Sequence, residues 1–111
     1  MSTSEVEIEL REEPAYPVTF NLNATSGTVV AYACVVFGWS MKNASGTTLA
    51  TLDVYDGTDH SGTSLFPINL AANQSGRDWF GPNGILFRNG VHINVTAQQV
   101  SGAVFIRRHR H

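Results

Sequence analysis

The feature that most constrains this chain is an alternation of apolar and polar residues that breaks repeatedly at Gly, Asn, Asp and Pro. Alternation of period two puts successive side chains on opposite faces of a strand, and no segment sustains the 3.6-residue period of a helix. The breaks recur every ~8–12 residues, the rhythm of a β-sandwich or barrel. The pattern predicts an all-β domain of about eight to nine short strands, a β-sandwich of jelly-roll or Greek-key type.

Segment by segment, Glu5-Val6-Glu7-Ile8-Glu9-Leu10 alternates strictly, and Pro14 and Pro17 then set it apart as an arm. Strands are expected at Val18–Leu22, Leu49–Tyr55, Leu65–Leu70, Asp78–Phe80, Ile85–Phe87, Val91–Val95 and Ala103–Ile106. The apolar run from Thr28 to Met41 is too long for one straight strand, so a bend or bulge is expected inside it. Turns fall at Asn43–Gly46, Asp56–Gly62 and Ala71–Gly76. The division that follows is an acidic arm over 1–14, a sandwich domain over 15–106 and a basic tail over 107–111. Period-two placement predicts burial of Phe37, Leu52, Val54, Phe66, Ile68, Leu70, Ile93 and Val95.

At 111 residues the chain is one domain, long enough to bury a core without staples. Only 14% of residues are charged, against ~25% in an ordinary soluble protein. The polar surface must therefore come from Ser, Thr, Asn, Gln and Gly, which suits a protein packed against other protein. The net charge of −2 gives no reason to expect nucleic acid or an anionic membrane as partner. Its distribution says more: residues 1–13 carry five Glu and one Arg, while Arg107, Arg108 and Arg110 crowd the other end. The two ends are charge-complementary. No basic start followed by an apolar stretch is visible, so synthesis in the cytoplasm without a signal peptide is expected. No apolar run approaches the ~20 residues of a membrane helix.

Residues able to do chemistry are scattered. Cys34, the one cysteine, sits in an apolar run and reads as a small buried hydrophobe. His60 falls in a loop tip, His92 on the polar face of a strand, and His109 and His111 in the tail, without a zinc-site spacing. Exposed surface roles are expected for all four. Asp53, Asp56 and Asp59 lie close together, but the EF-hand pattern and its final Glu are missing, and Asp56-Gly57 is explained by hairpin-turn chemistry. No nucleophile elbow and no glycine-rich phosphate loop before a helix occur, and Asp53 and Asp78 alone are no glycosidase pair. No enzyme activity, metal or cofactor is expected. The sequons at Asn23, Asn43, Asn73 and Asn94 follow from an Asn/Ser/Thr-rich composition. Trp79-Phe80 is a candidate contact pair; the plainer expectation is that one ring fills the core end and the other covers a sheet edge.

Three segments carry a family resemblance: Thr51-Leu52-Asp53-Val54-Tyr55-Asp56-Gly57-Thr58 leading to Gly62, Trp79-Phe80-Gly81-Pro82-Asn83-Gly84-Ile85-Leu86-Phe87, and Asn89-Gly90-Val91-His92-Ile93-Asn94-Val95. In this order they resemble small β-sandwich virion structural proteins of tailed bacteriophages, of the head-decoration, spike or tail-associated type. The resemblance implies a non-enzymatic virion protein, foremost a capsid decoration or cement subunit, with other virion proteins (the major capsid protein first) as partners. A homo-oligomer, a trimer before others, is the assembly to expect. Expected contact residues are Glu5, Val6, Glu7, Ile8, Glu9 and Leu10 of the arm, Trp79 and Phe80, and Arg107, Arg108 and Arg110. The rival expectation is a carbohydrate- or receptor-binding module of a fibre or spike, stacking its ligand on Trp79, Phe80 or Tyr55.

Overall fold

The computed structural model describes residues 14–109. They form nine strands and no helix: β1 (Tyr16–Asn23), β2 (Ser26–Val30), β3 (Cys34–Asn43), β4 (Ala50–Asp56), β5 (Phe66–Leu70), β6 (Ser75–Trp79), β7 (Ile85–Phe87), β8 (Val91–Ala97) and β9 (Gln99–Arg108). All pairings are antiparallel. One sheet runs β1-β9-β3-β6, with β7 also on β3; the other runs β2-β8-β4-β5. The pairs are nested: β4 with β5, β3 with β6 and β7, β2 with β8, β1 with β9. One long hairpin is thus rolled up until β9 also meets β3 and β8 also meets β4. That is the jelly roll, a two-layer sandwich.

Alternation explains the core. Ala50, Leu52 and Val54 of β4 point inward against Ile93 and Val95 of β8, and Val100, Val104 and Ile106 of β9 close the layer from the opposite sheet. The apolar run of 28–41 divides at Ala31–Ala33, where the chain leaves the β2 sheet for the β3 sheet. A bulge between Val36 and Gly38 then changes the phase of β3. Cys34 and Val36 point inward before it, Trp39 and Met41 after it, so the strand buries residues of both parities. Gly38 belongs to that bulge: a Cβ there would stand 2.1 Å from the Asp78 carbonyl oxygen.

Several expectations need correcting. Phe66 and Ile68 are only half-buried, because β5 is the edge strand of its sheet and Pro67 stands in it. The strand expected at Asp78–Phe80 begins earlier, at Ser75, and ends at Trp79. β9 continues through Arg107 and Arg108, so these arginines stand on a strand rather than in a tail. His92 is buried, at 5% exposure, and not on an open polar face. The other six residues expected in the interior, Phe37, Leu52, Val54, Leu70, Ile93 and Val95, are buried.

Candidate functional site

Two surfaces carry organised side chains. The first is the outer face of the β1-β9-β3-β6 sheet. Here Val35 and Phe37 of β3 are turned away from the core, Leu86 and Arg107 lie across from Val35 in register, and Trp79 flanks Gly38 on β6. Trp79 is 68% exposed and stacks on Phe37 at 6.2 Å between centroids and 24° between planes. The Arg107 guanidinium lies over the same Phe37 ring at 5.5 Å. Leu86 extends the apolar patch to the β7 edge. At one end of the sheet Arg108 covers the Tyr32 ring at 4.6 Å, and the Tyr32 hydroxyl hydrogen-bonds that of Tyr16 at 2.9 Å. That bond holds the Tyr16 phenol above its ordinary pKa range. Tyr16 opens β1, which puts the start of that strand close to Arg108 through Tyr32.

The Trp79-Phe80 pair divides as the plainer expectation has it. Phe80 turns inward and meets Trp39 edge-on at 4.9 Å and Phe66 stacked at 5.5 Å. The Trp39 indole donates to Asp78 Oδ2 at 2.8 Å, which fixes the end of β6. Trp79 stays outside. The candidate residues Glu5, Val6, Glu7, Ile8, Glu9, Leu10 and Arg110 lie outside the described residues.

The second surface is the β4–β5 loop, folded back over the outer face of the β2-β8-β4-β5 sheet. His92 on β8 lies opposite Tyr55 on β4 and receives His60 from the loop, with His60 Nδ1 3.2 Å from His92 Nε2. The near-parallel rings have centroids 5.4 Å apart, a separation that exceeds the N···N distance by about two ring radii. The two nitrogens therefore face each other in line, the geometry of one shared proton rather than of two ligands converging on a metal. No group of three or more His, Cys, Asp or Glu is placed to hold a metal ion among the described residues. Beside the pair is a cleft of about 290 Å³ lined by Tyr55, Asp56, Asp59, Ser61, Gly62, Thr63 and Leu65. Its carboxylates already have partners: Asp56 accepts from the backbone N–H groups of Arg88 and Asn89, and Asp59 from the Ser61 hydroxyl and N–H. The Ser61 bonds hold the Asp59 carboxyl below its usual range.

Two further polar residues are structural. Cys34 is fully buried, and desolvation, aided by the charge of Asp56, pushes its thiol up to about 11. Asn43 is also fully buried, its amide donating to the carbonyls of Thr48, Leu70 and Ala71. The turning of Val35 and Leu86 onto the face that Arg107 shares and the contact of Thr28, His60 and His92 were missed by sequence reasoning. Both depend on which strands become neighbours, for which local alternation carries no signal. Comparison with protein-family models, curated proteins and solved structures finds no match to this chain.

Proposed function

We propose that this chain is a non-enzymatic virion subunit of the capsid-decoration type, docking on other virion proteins through the outer face of the β1-β9-β3-β6 sheet. The observation that carries the reading is Trp79, 68% exposed yet stacked on Phe37 beneath Arg107. Trp, Tyr and Arg dominate the energetic centres of protein interfaces. Here they are already ordered by their neighbours, so docking immobilises few side chains. The class of partner rests on the resemblance of the three segments named above. The jelly roll agrees with it by analogy only, since viral coat domains, lectins and cupins share that architecture.

In this reading the domain stands on the shell with the Trp79 face against the major capsid protein. The arm over 1–14 reaches a neighbouring copy, as in a trimer, with Glu5, Glu7 and Glu9 meeting Arg108 and Arg110. Exposed ion pairs contribute only ~0–1 kcal/mol each, so Val6, Ile8 and Leu10 and backbone pairing supply most of the arm's affinity.

A carbohydrate- or receptor-binding module is the second reading, favoured by the cleft between Tyr55 and the β4–β5 loop with its hydroxyl and carboxylate lining. Copy number in purified particles separates the two. Abundant copies, reduced strongly by Trp79→Ser, support decoration. A few copies per particle, or full occupancy by the variant, refute it.

A further inference from the structure

We propose that His60 and His92 form a proton-operated latch, which holds the β4–β5 loop closed near neutral pH and releases it on acidification. The loop is tied to the sheet at both ends. Gly57 N–H donates to the Gly90 carbonyl at 3.1 Å, and Leu65 N–H to the Val54 carbonyl at 2.9 Å. Thr58 and Ser64 are fastened just inside these ties, through the Thr28 hydroxyl and Asp53 respectively. Between them, His60 is the residue that fastens 59–63 to the sheet.

The hydrogen bonds dictate where the protons sit. The single hydroxyl hydrogen of Thr28 is given to the Thr58 carbonyl at 2.9 Å. Thr28 Oγ1 therefore accepts from His92 Nδ1–H at 3.1 Å. A neutral His92 then has a bare Nε2, which accepts from His60 Nδ1–H at 3.2 Å. A proton added to His60 goes to its other nitrogen and leaves this bond intact. One added to His92 converts the acceptor into a donor, and two N–H groups then meet head-on. His92 is the switch and His60 the hook.

The surroundings set the direction. The titratable groups around His92 are Tyr55, directly opposite on β4, and His60 and Asp59 from the loop; β2 presents the neutral Thr28. The nearby Asp56 carboxylate is held by the Arg88 and Asn89 N–H groups. Burial, then the His60 charge, lower the His92 pKa, while Asp59 opposes them. The closed loop therefore binds a proton at His92 less readily than the open loop, where the imidazole regains its ordinary pKa. The latch is at full strength above that value and is lost as pH falls from there through the lowered pKa of the closed state. Release moves the cleft wall formed by Asp59, Ser61, Gly62 and Thr63, and uncovers His92 and Thr28. The result is a surface presented only in acid.

The test is amide hydrogen exchange over 57–65 of the full chain at about pH 7.5 and about pH 5.5, corrected for the intrinsic pH dependence of exchange, with ¹⁵N NMR of the imidazoles. Because the closed loop binds the His92 proton less readily, opening should rise severalfold on acidification. That rise should follow the His92 titration, with His92 in the Nδ1–H form at the higher pH. His60 is exposed, so His60→Ala leaves the core intact; its loop should already be open at the higher pH and show no step. Exchange that is indifferent to pH in the parent chain, a step that survives in His60→Ala, or a neutral His92 protonated on Nε2 would each overturn the latch.

Discussion

Replacing Asn43 by Ala tests whether one buried amide joins the turns at one end of the sandwich. Asn43 closes β3, has no exposed surface, and its side chain takes part in four hydrogen bonds between 2.8 and 3.2 Å. Its Nδ2 serves the carbonyls of Thr48, Leu70 and Ala71, and its Oδ1 accepts the Ser45 N–H. Two amide hydrogens shared among three carbonyls make one of those bonds bifurcated, so the side chain contributes about three full bonds. At a net ~0.5–1.5 kcal/mol each, Asn43→Ala should cost about 2–4 kcal/mol. A domain of this size loses roughly 4 °C of Tm per kcal/mol, which gives a drop of about 8–16 °C. The assay is equilibrium urea unfolding followed by far-UV circular dichroism and Trp fluorescence, in which the midpoint should fall with the slope unchanged. Asn23→Ala is the matched control, since Asn23 is exposed and its removal should stay within about 0.5 kcal/mol. A loss below about 0.5 kcal/mol at Asn43 would refute the assignment of that amide as the tie between the β3–β4 and β5–β6 turns.

Three further outcomes are expected. A Cβ at Gly102 would stand 2.1 Å from the Ser40 carbonyl oxygen, so Gly102→Ala should cost about 3 kcal/mol or more in the same unfolding assay. Gly62→Ala meets nothing within 4 Å and should be neutral within about 0.5 kcal/mol; equal effects would contradict the close approach of β9 to β3. Cys34, buried and with its thiol raised to about 11, should resist a thiol reagent in the folded protein at neutral pH and react only on unfolding; prompt labelling of the native chain would overturn its place in the core. Trp79→Ser should change stability by less than about 1 kcal/mol, and a larger loss would make Trp79 a prop for the sheet instead of a docking residue.

Local pattern and topology contributed differently to what could be read beforehand. The inward faces of β4 and β8 and the limits of β7 follow from alternation and turn residues, both local signals. A bend or bulge inside the 28–41 run follows from its length, but its place between Val36 and Gly38 is set only when β9 and β6 lie beside β3. Phe66 and Ile68 carry the right period but lie on an edge, and being at an edge is a property of the sheet and not of the strand. His92 illustrates the same limit. It alternates as an outward residue should, and outward it points, yet a loop 32 residues earlier in sequence covers it. Of the candidate contacts, Trp79 is exposed, Phe80 is half-buried against the core, and Arg107 and Arg108 are ordered over aromatic rings.

The most direct test of the docking account is a map of the purified particle at side-chain resolution, showing how this chain sits within it. The account predicts that Phe37, Trp79, Leu86 and Arg107 lie buried against the major capsid protein, with residues 5–10 paired to a neighbouring copy. Trp79 should then lose nearly all of the 68% exposure it has in the isolated domain. A map in which the Trp79 face is open to solvent, and the contacts come instead from the β2-β8-β4-β5 sheet or the Tyr55 cleft, would contradict it.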